Sequence, residues 1–171
     1  MKATSLLEIR LLQKSDVNKL SFFLKQHGTH HYQLDRLFYW GKANEYVADL
    51  IYDFSLQNDV WVVKGGKDIK GLIGFRRRKW DSEYFGYPVA SIDYFFMERG
   101  DENAIIPLLL MARFDEWNRK HAIKFVFIKV FPNNNLTKVL EKNGFYYVGN
   151  EFTLSRSLSL ADLKEKTDSR V

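Results

Sequence analysis

Cysteine is absent from the 171-residue sequence, which excludes disulfides, thiolate metal sites and a cysteine nucleophile. No stretch approaches the ~18 consecutive apolar residues of a membrane span. The opening Met1 to Glu8 has no apolar core of the kind a secretory signal needs. The expectation is a cytoplasmic protein with no membrane contact. Charge of one sign is also scarce: 26 basic against 21 acidic residues leave +5, a modest excess that lacks the footprint of a nucleic-acid binder. Of the four histidines, His27, His30 and His31 cluster without acidic or cysteine partners at ligand spacing, so no metal site is read there. There is no internal repeat and no low-complexity segment.

What the chain does have is a 46% hydrophobic and 16% aromatic composition, enough to bury one core but rarely two at this length. A single domain over 1–158 is expected, followed by a charged tail or linker over 159–171. The densest basic run, Arg76 to Lys79, reads as part of a strand, where alternation splits its charges between two faces. A solvated strand surface is its plainer meaning, and contact with a polyanion such as a nucleotide phosphate its sharper one.

Periodicity divides the chain into α/β elements. Glu8 to Leu12 reads as a strand, and Ser15-Asp16 supplies a side-chain cap for a helix with Val17, Leu20, Phe23 and Leu24 on one face, ended by His27-Gly28. A second helical stretch runs from about Gln33 to Leu56 with a break at Gly41. Val60 to Val63, the turn Gly65 to Asp68 and Ile69 to about Arg78 form a hairpin pattern. An aromatic loop over Trp80 to Pro88 leads to a strand over Val89 to Met97.

Ile105 to about His121 is strongly helical, with Leu108, Leu109, Ala112 and Trp117 on its apolar face and Pro107 tolerated in its first turn. Lys124 to Val130 reads as a buried central strand, with Val126, Ile128 and Val130 on one face and Phe125 and Phe127 on the other. A short helix over Leu136 to Asn143 stops at Gly144, and Phe145 to Val148 with Phe152 to Arg156 suggests a last hairpin.

This order of elements resembles the GNAT superfamily of N-acetyltransferases. Local sequence carries the likeness: Ile9-Arg10-Leu11 with Asp16, Gly71-Leu72-Ile73-Gly74, and above all Leu140-Glu141-Lys142-Asn143-Gly144-Phe145. The resemblance implies an α+β fold with a mixed, mostly antiparallel central sheet flanked by helices. It also implies acetyl-CoA as co-substrate and a small-molecule amine as acceptor. Asn133 falls where such enzymes often carry an asparagine facing the pantetheine arm. Trp80 to Gly86 looks like a segment of the subgroup related to dTDP-fucosamine acetyltransferase, which implies a nucleotide-linked amino sugar. In some members of that subgroup the segment belongs to an accessory half-domain, so a partner GNAT domain or a homo-oligomer is the corresponding partner expectation. Read from its residues alone, the segment is packing, and a buried Trp80 indole would make truncation to alanine cost about 3–5 kcal/mol.

Acetyl transfer needs a pyrophosphate site, donors to the thioester carbonyl and a route for the amine proton. By resemblance, the pyrophosphate loop is Arg99-Gly100-Asp101-Glu102-Asn103-Ala104, so Arg99, Gly100, Asn103 and Ala104 are cofactor-binding candidates. Glu102 stands at a glycine position of that loop, and with Asp101 it suits a helix N-terminus better than it suits a diphosphate. Backbone donors are expected near Tyr94, Phe96 and Met97 and near Lys129 to Phe131. The family's proton-donating tyrosine aligns with Leu140, which cannot donate, and Tyr146 or Tyr147 is the substitute. Asp93 is the candidate base, because an acid within an apolar strand gains proton affinity on burial. Glu83 and Glu98 are lesser candidates. The alternative to an enzyme is a GNAT-like recognition or accessory module that has lost catalysis, which Glu102 and Leu140 favour.

Overall fold

Among the described residues, runs of β-branched and aromatic residues at period two, interrupted by turn glycines, assemble seven strands into one sheet. The structure is a computed structural model and describes residues 6–28, 40–98, 105–129, 135–147 and 153–157. The strands are β1 Leu7–Leu11, β2 Asp59–Gly65, β3 Asp68–Arg77, β4 Val89–Met97, β5 Phe125–Lys129, β6 Tyr146–Tyr147 and β7 Thr153–Ser157. The helices are α1 Val17–His27, α2 Trp40–Ser55, α3 Lys79–Phe85, α4 Ile105–Lys120 and α5 Asn135–Lys142. Spatial order is β1-β2-β3-β4-β5-β7-β6. Every neighbouring pair is antiparallel except β4 and β5, whose parallel pairing follows from the α4 crossover that joins them.

Alternation along the strands feeds two cores. Ile73, Phe75, Ala90, Ile92, Phe95 and Met97 pack with Ile106, Leu110, Met111 and Phe114 of α4 and with Leu136, Val139 and Leu140 of α5. On the opposite face, Val60, Val62, Leu72 and Phe96 pack with Leu20, Phe23 and Leu24 of α1 and Ala48 and Ile51 of α2. Gly71 sets how closely α4 approaches β3: a Cβ there would lie 2.7 Å from Ile106 Cγ2 and 3.0 Å from the Phe96 carbonyl oxygen. The β2–β3 turn places Gly66 at φ +62°, and Gly144, at φ +82°, follows α5 as expected. Val126 and Ile128 are buried on the α4 side and Phe125 is also buried; Val130 and the 159–171 tail lie outside the described residues.

Four expectations are corrected. Asp16 stands at the N-cap position of α1 but makes no side-chain cap bond. Its carboxylate turns back to the Gln13 N–H at 3.1 Å and to the Arg10 guanidinium at 2.7 and 2.8 Å, because two charge-assisted bonds outweigh one cap. Gly41 lies within α2 and does not interrupt it, while the earlier part of that stretch, 33–39, lies outside the described residues. The buried residues of α4 are Ile106, Pro107, Leu110, Met111, Phe114 and Asn118; of the expected face, Leu109 and Trp117 pack against this core, while Leu108 and Ala112 are exposed. That helix is apolar on more than one side near its start, so the sheet, and not the periodicity, selects the buried stripe.

The fourth correction concerns the segment from Trp80. It is not a loop but helix α3, closed by Gly86 at φ +72°. Asp81 is the residue it buries, bound to Arg78 Nε at 2.7 Å, whereas Trp80 is 70% exposed and stacks on Tyr84 at 5.4 Å. Trp80→Ala is therefore expected to change the unfolding free energy by less than about 1 kcal/mol. Denaturant titration checks this, and a loss of several kcal/mol would mean that the ring is covered.

Candidate active site

Among the described residues the parallel pairing of β4 with β5 runs from Val89↔Phe125 to Ile92↔Ile128, and β4 continues to Met97. At the same point β4 is irregular against β3: Phe75 pairs with Ile92 and Gly74 with Tyr94, so Asp93 is the extra residue of a bulge. A bulge re-aims the backbone, and alternate N–H groups of the strand past it face away from β3.

Side chains around the bulge come from three elements. Asp93 accepts a hydrogen bond from Ser91 Oγ at 2.8 Å and pairs with Arg76 Nε of β3 at 3.2 Å. The Arg76 guanidinium lies 5.9 Å from the centroid of the Phe54 ring of α2, and Tyr94 meets the same ring edge-on at 5.2 Å. Gly74 makes room for Tyr94, since a Cβ there would stand 3.2 Å from Tyr94 Cδ2. Burial pushes the Tyr94 phenol above its ordinary value; the Asp93 charge adds to the rise and Arg76 opposes it. The hydroxyl is thus protonated at neutral pH and available as a donor.

The sequence candidates are distributed unevenly over this frame. Asp93 and Tyr94 meet at the bulge, but the apolar surroundings expected for Asp93 are replaced by a guanidinium and a hydroxyl. The side chains of Phe96 and Met97 are buried in opposite cores, so only their backbone can meet a ligand. Tyr146 is on β6, the far side of β7 from β5, roughly 14 Å from β4 at ~4.8 Å per strand spacing. It is not brought to Asp93. Leu140 is fully buried. Glu98 is held by Lys70 Nζ at 2.6 Å. Arg99, Gly100, Asn103, Ala104 and Asn133, with Glu102, lie outside the described residues.

No protein-family model matches this sequence, and no curated protein does. Solved structures do. The PaiA N-acetyltransferase of Thermoplasma acidophilum, solved in complex with coenzyme A, superposes with a TM-score of 0.68 at 14% identity, over 89% of this chain and 99% of that one. This chain has the GNAT fold. A GNAT-family acetyltransferase of Staphylococcus aureus gives 0.68 at 15% identity, over 90% of this chain and 100% of that one. One from Streptococcus pneumoniae gives 0.63 at 16%, over 90% and 100%. Within the GNAT fold of this chain, the residues that sequence reasoning missed are Arg76, Ser91 and Phe54. The available signal was an acidic residue in an apolar strand opposite a Gly-Phe-Arg segment, which asks for a cation across the strand pair.

Proposed function

We propose that the chain is an acyl-CoA-dependent N-acetyltransferase acting on a small-molecule amine, with a nucleotide-linked amino sugar as the acceptor class. One observation carries the reading: the Asp93 bulge re-aims the backbone of β4 just past its pairing of Ile92 with Ile128. Acetyl-CoA, when bound, supplies a thioester carbonyl. Backbone N–H groups of β4 past Asp93 suit an oxygen that gains negative charge during acyl transfer. In the balanced step the amine nitrogen bonds to the carbonyl carbon, the C–S bond breaks, and the amine loses a proton while the thiolate gains one. Asp93, oriented by Ser91 and Arg76, is the group that receives the amine proton. Tyr94, kept protonated, donates a hydrogen bond on the same side.

Asp93→Asn is expected to lower kcat by about 100-fold with little change in stability. Thiol release from acetyl-CoA, measured over a panel of amines and amino sugars, is the test. Turnover that survives Asp93→Asn unchanged contradicts the role given to Asp93, and no release with any acceptor contradicts the enzyme.

A second reading, a GNAT-like accessory domain, is favoured by Leu140, which is fully buried in the apolar core where the family's proton donor aligns. Glu102 bears on the same choice. If its side chain obstructs an otherwise intact phosphate loop, Glu102→Gly should tighten acetyl-CoA binding by roughly ten-fold, the scale of a helix-terminus charge effect. Calorimetry separates the readings: binding by either form supports the enzyme, and binding by neither supports the accessory domain.

A further inference from the structure

A cleft of about 500 Å³ lies beside α3, lined by Arg77, Lys79, Glu83, Tyr87 and Pro88 among others. Its volume is within the range that takes a small-molecule ligand. Its charge has a structural origin. In the run Arg76 to Lys79, Arg76 is taken by Asp93 at 3.2 Å and Arg78 by Asp81 at 2.7 Å. Arg77 closes β3 and Lys79 opens α3, so the run is split between two elements. Among the described residues neither Arg77 nor Lys79 has a carboxylate within ion-pair distance, and both are exposed in the cleft. Two unneutralised cations therefore meet one acid, Glu83, beside the Tyr87 ring.

The cleft is also held in shape. Ser82 Oγ donates to the Arg78 carbonyl at 2.6 Å and accepts from the Val89 N–H at 2.9 Å, which ties α3 to the ends of both flanking strands. Tyr87 stacks on Phe85 at 5.8 Å, and Phe85 leans on Phe125 of β5. Gly86 has nothing within 4 Å of where a Cβ would stand, so the mouth is open at that point.

We propose that this cleft binds a phosphorylated small molecule, with its phosphate on Arg77 and Lys79 and its ring against Tyr87. The ring belongs to a nucleoside or to a sugar; both carry the phosphate ester that the two cations recognise. Arg77 pairs with Ala90, and Asp93 lies about 10 Å further along β4 at ~3.3 Å per residue. The cleft extends the other way, toward Pro88. The site is thus separate from the one between β4 and β5 and does not rest on the acyltransferase reading.

Calorimetric titration of the full chain with uridine diphosphate, glucose phosphate and inorganic phosphate tests the proposal. The expected result is saturable binding of uridine diphosphate or glucose phosphate, at least ten-fold tighter than inorganic phosphate and weakened by salt. Tighter binding of the first assigns the ring to a nucleoside, and of the second to a sugar. The double variant Arg77→Gln with Lys79→Gln should weaken binding at least ten-fold at an unchanged denaturation midpoint, and Glu83→Gln should tighten it. Binding of neither ring compound, or binding indifferent to the double variant, would overturn the proposal.

Discussion

Asp16→Asn is expected to destabilise the protein by about 3 kcal/mol, the lower end of the cost of breaking a buried ion pair. Asp16 is 1% exposed and receives Arg10 through two bonds, the Gln13 N–H through a third, and Lys64 Nζ at 3.7 Å. Removing its charge leaves Arg10 and Lys64 at the α1–β1–β2 junction with only the exposed Glu8, 3.5 Å from Arg10 Nε, to offset them. The same residue sets an acid limit on stability. Burial alone would raise its pKa, but the Arg10 hydrogen bonds, the Gln13 N–H and the charges of Arg10 and Lys64 outweigh it, and the carboxyl is held below its ordinary value. A depressed folded-state value gives stability that is complete above the unfolded value of about 3.9 and is lost as pH falls below it. Unfolding followed from pH 7 to pH 2 should show this loss in the parent chain and a flatter profile in Asp16→Asn. Equal acid sensitivity of the two would mean that Asp16 is not the group responsible.

Phe75→Ala should cost about 4 kcal/mol, the middle of the range for emptying a buried phenylalanine site. Phe75 is fully buried on β3 and touches Phe114 and Trp117 of α4 at ring separations of 5.1 and 4.9 Å. These rings form the seam between the sheet and the crossover helix, so the surroundings cannot collapse inward without moving α4. Denaturant titration reads the loss, and Phe75→Leu should recover more than half of it. A loss below about 2 kcal/mol would show that the seam relaxes.

Much of the fold was legible because its determinants are local. The Gly65 to Asp68 turn, the alternation in β4 and β5, and the glycine after α5 each report a backbone or burial requirement that a few adjacent residues state by themselves. The failures have the opposite character. The inward stripe of α4, the use of the Asp16 carboxylate and the exposure of Trp80 all depend on which distant element arrives opposite them. The candidate site shows both behaviours within two residues. Asp93 and Tyr94 could be picked out as an acid and a phenol in an apolar strand. The bulge that gathers them with Arg76, Ser91 and Phe54 depends on the register of β3 against β4, which no local pattern records.

The central claim is that β4 from the Asp93 bulge to Met97, beyond its pairing with Ile128, is an acetyl-CoA site, and the most direct test is resonance-by-resonance titration. Acetyl-CoA added to isotope-labelled protein should shift the backbone amides of Asp93 to Met97 and of Ile128, saturably and together, while those of β1 and of Gly86 and Tyr87 stay in place. Saturable shifts confined to that stretch are the predicted result. No shift at millimolar acetyl-CoA, or shifts that saturate elsewhere on the sheet, would contradict it.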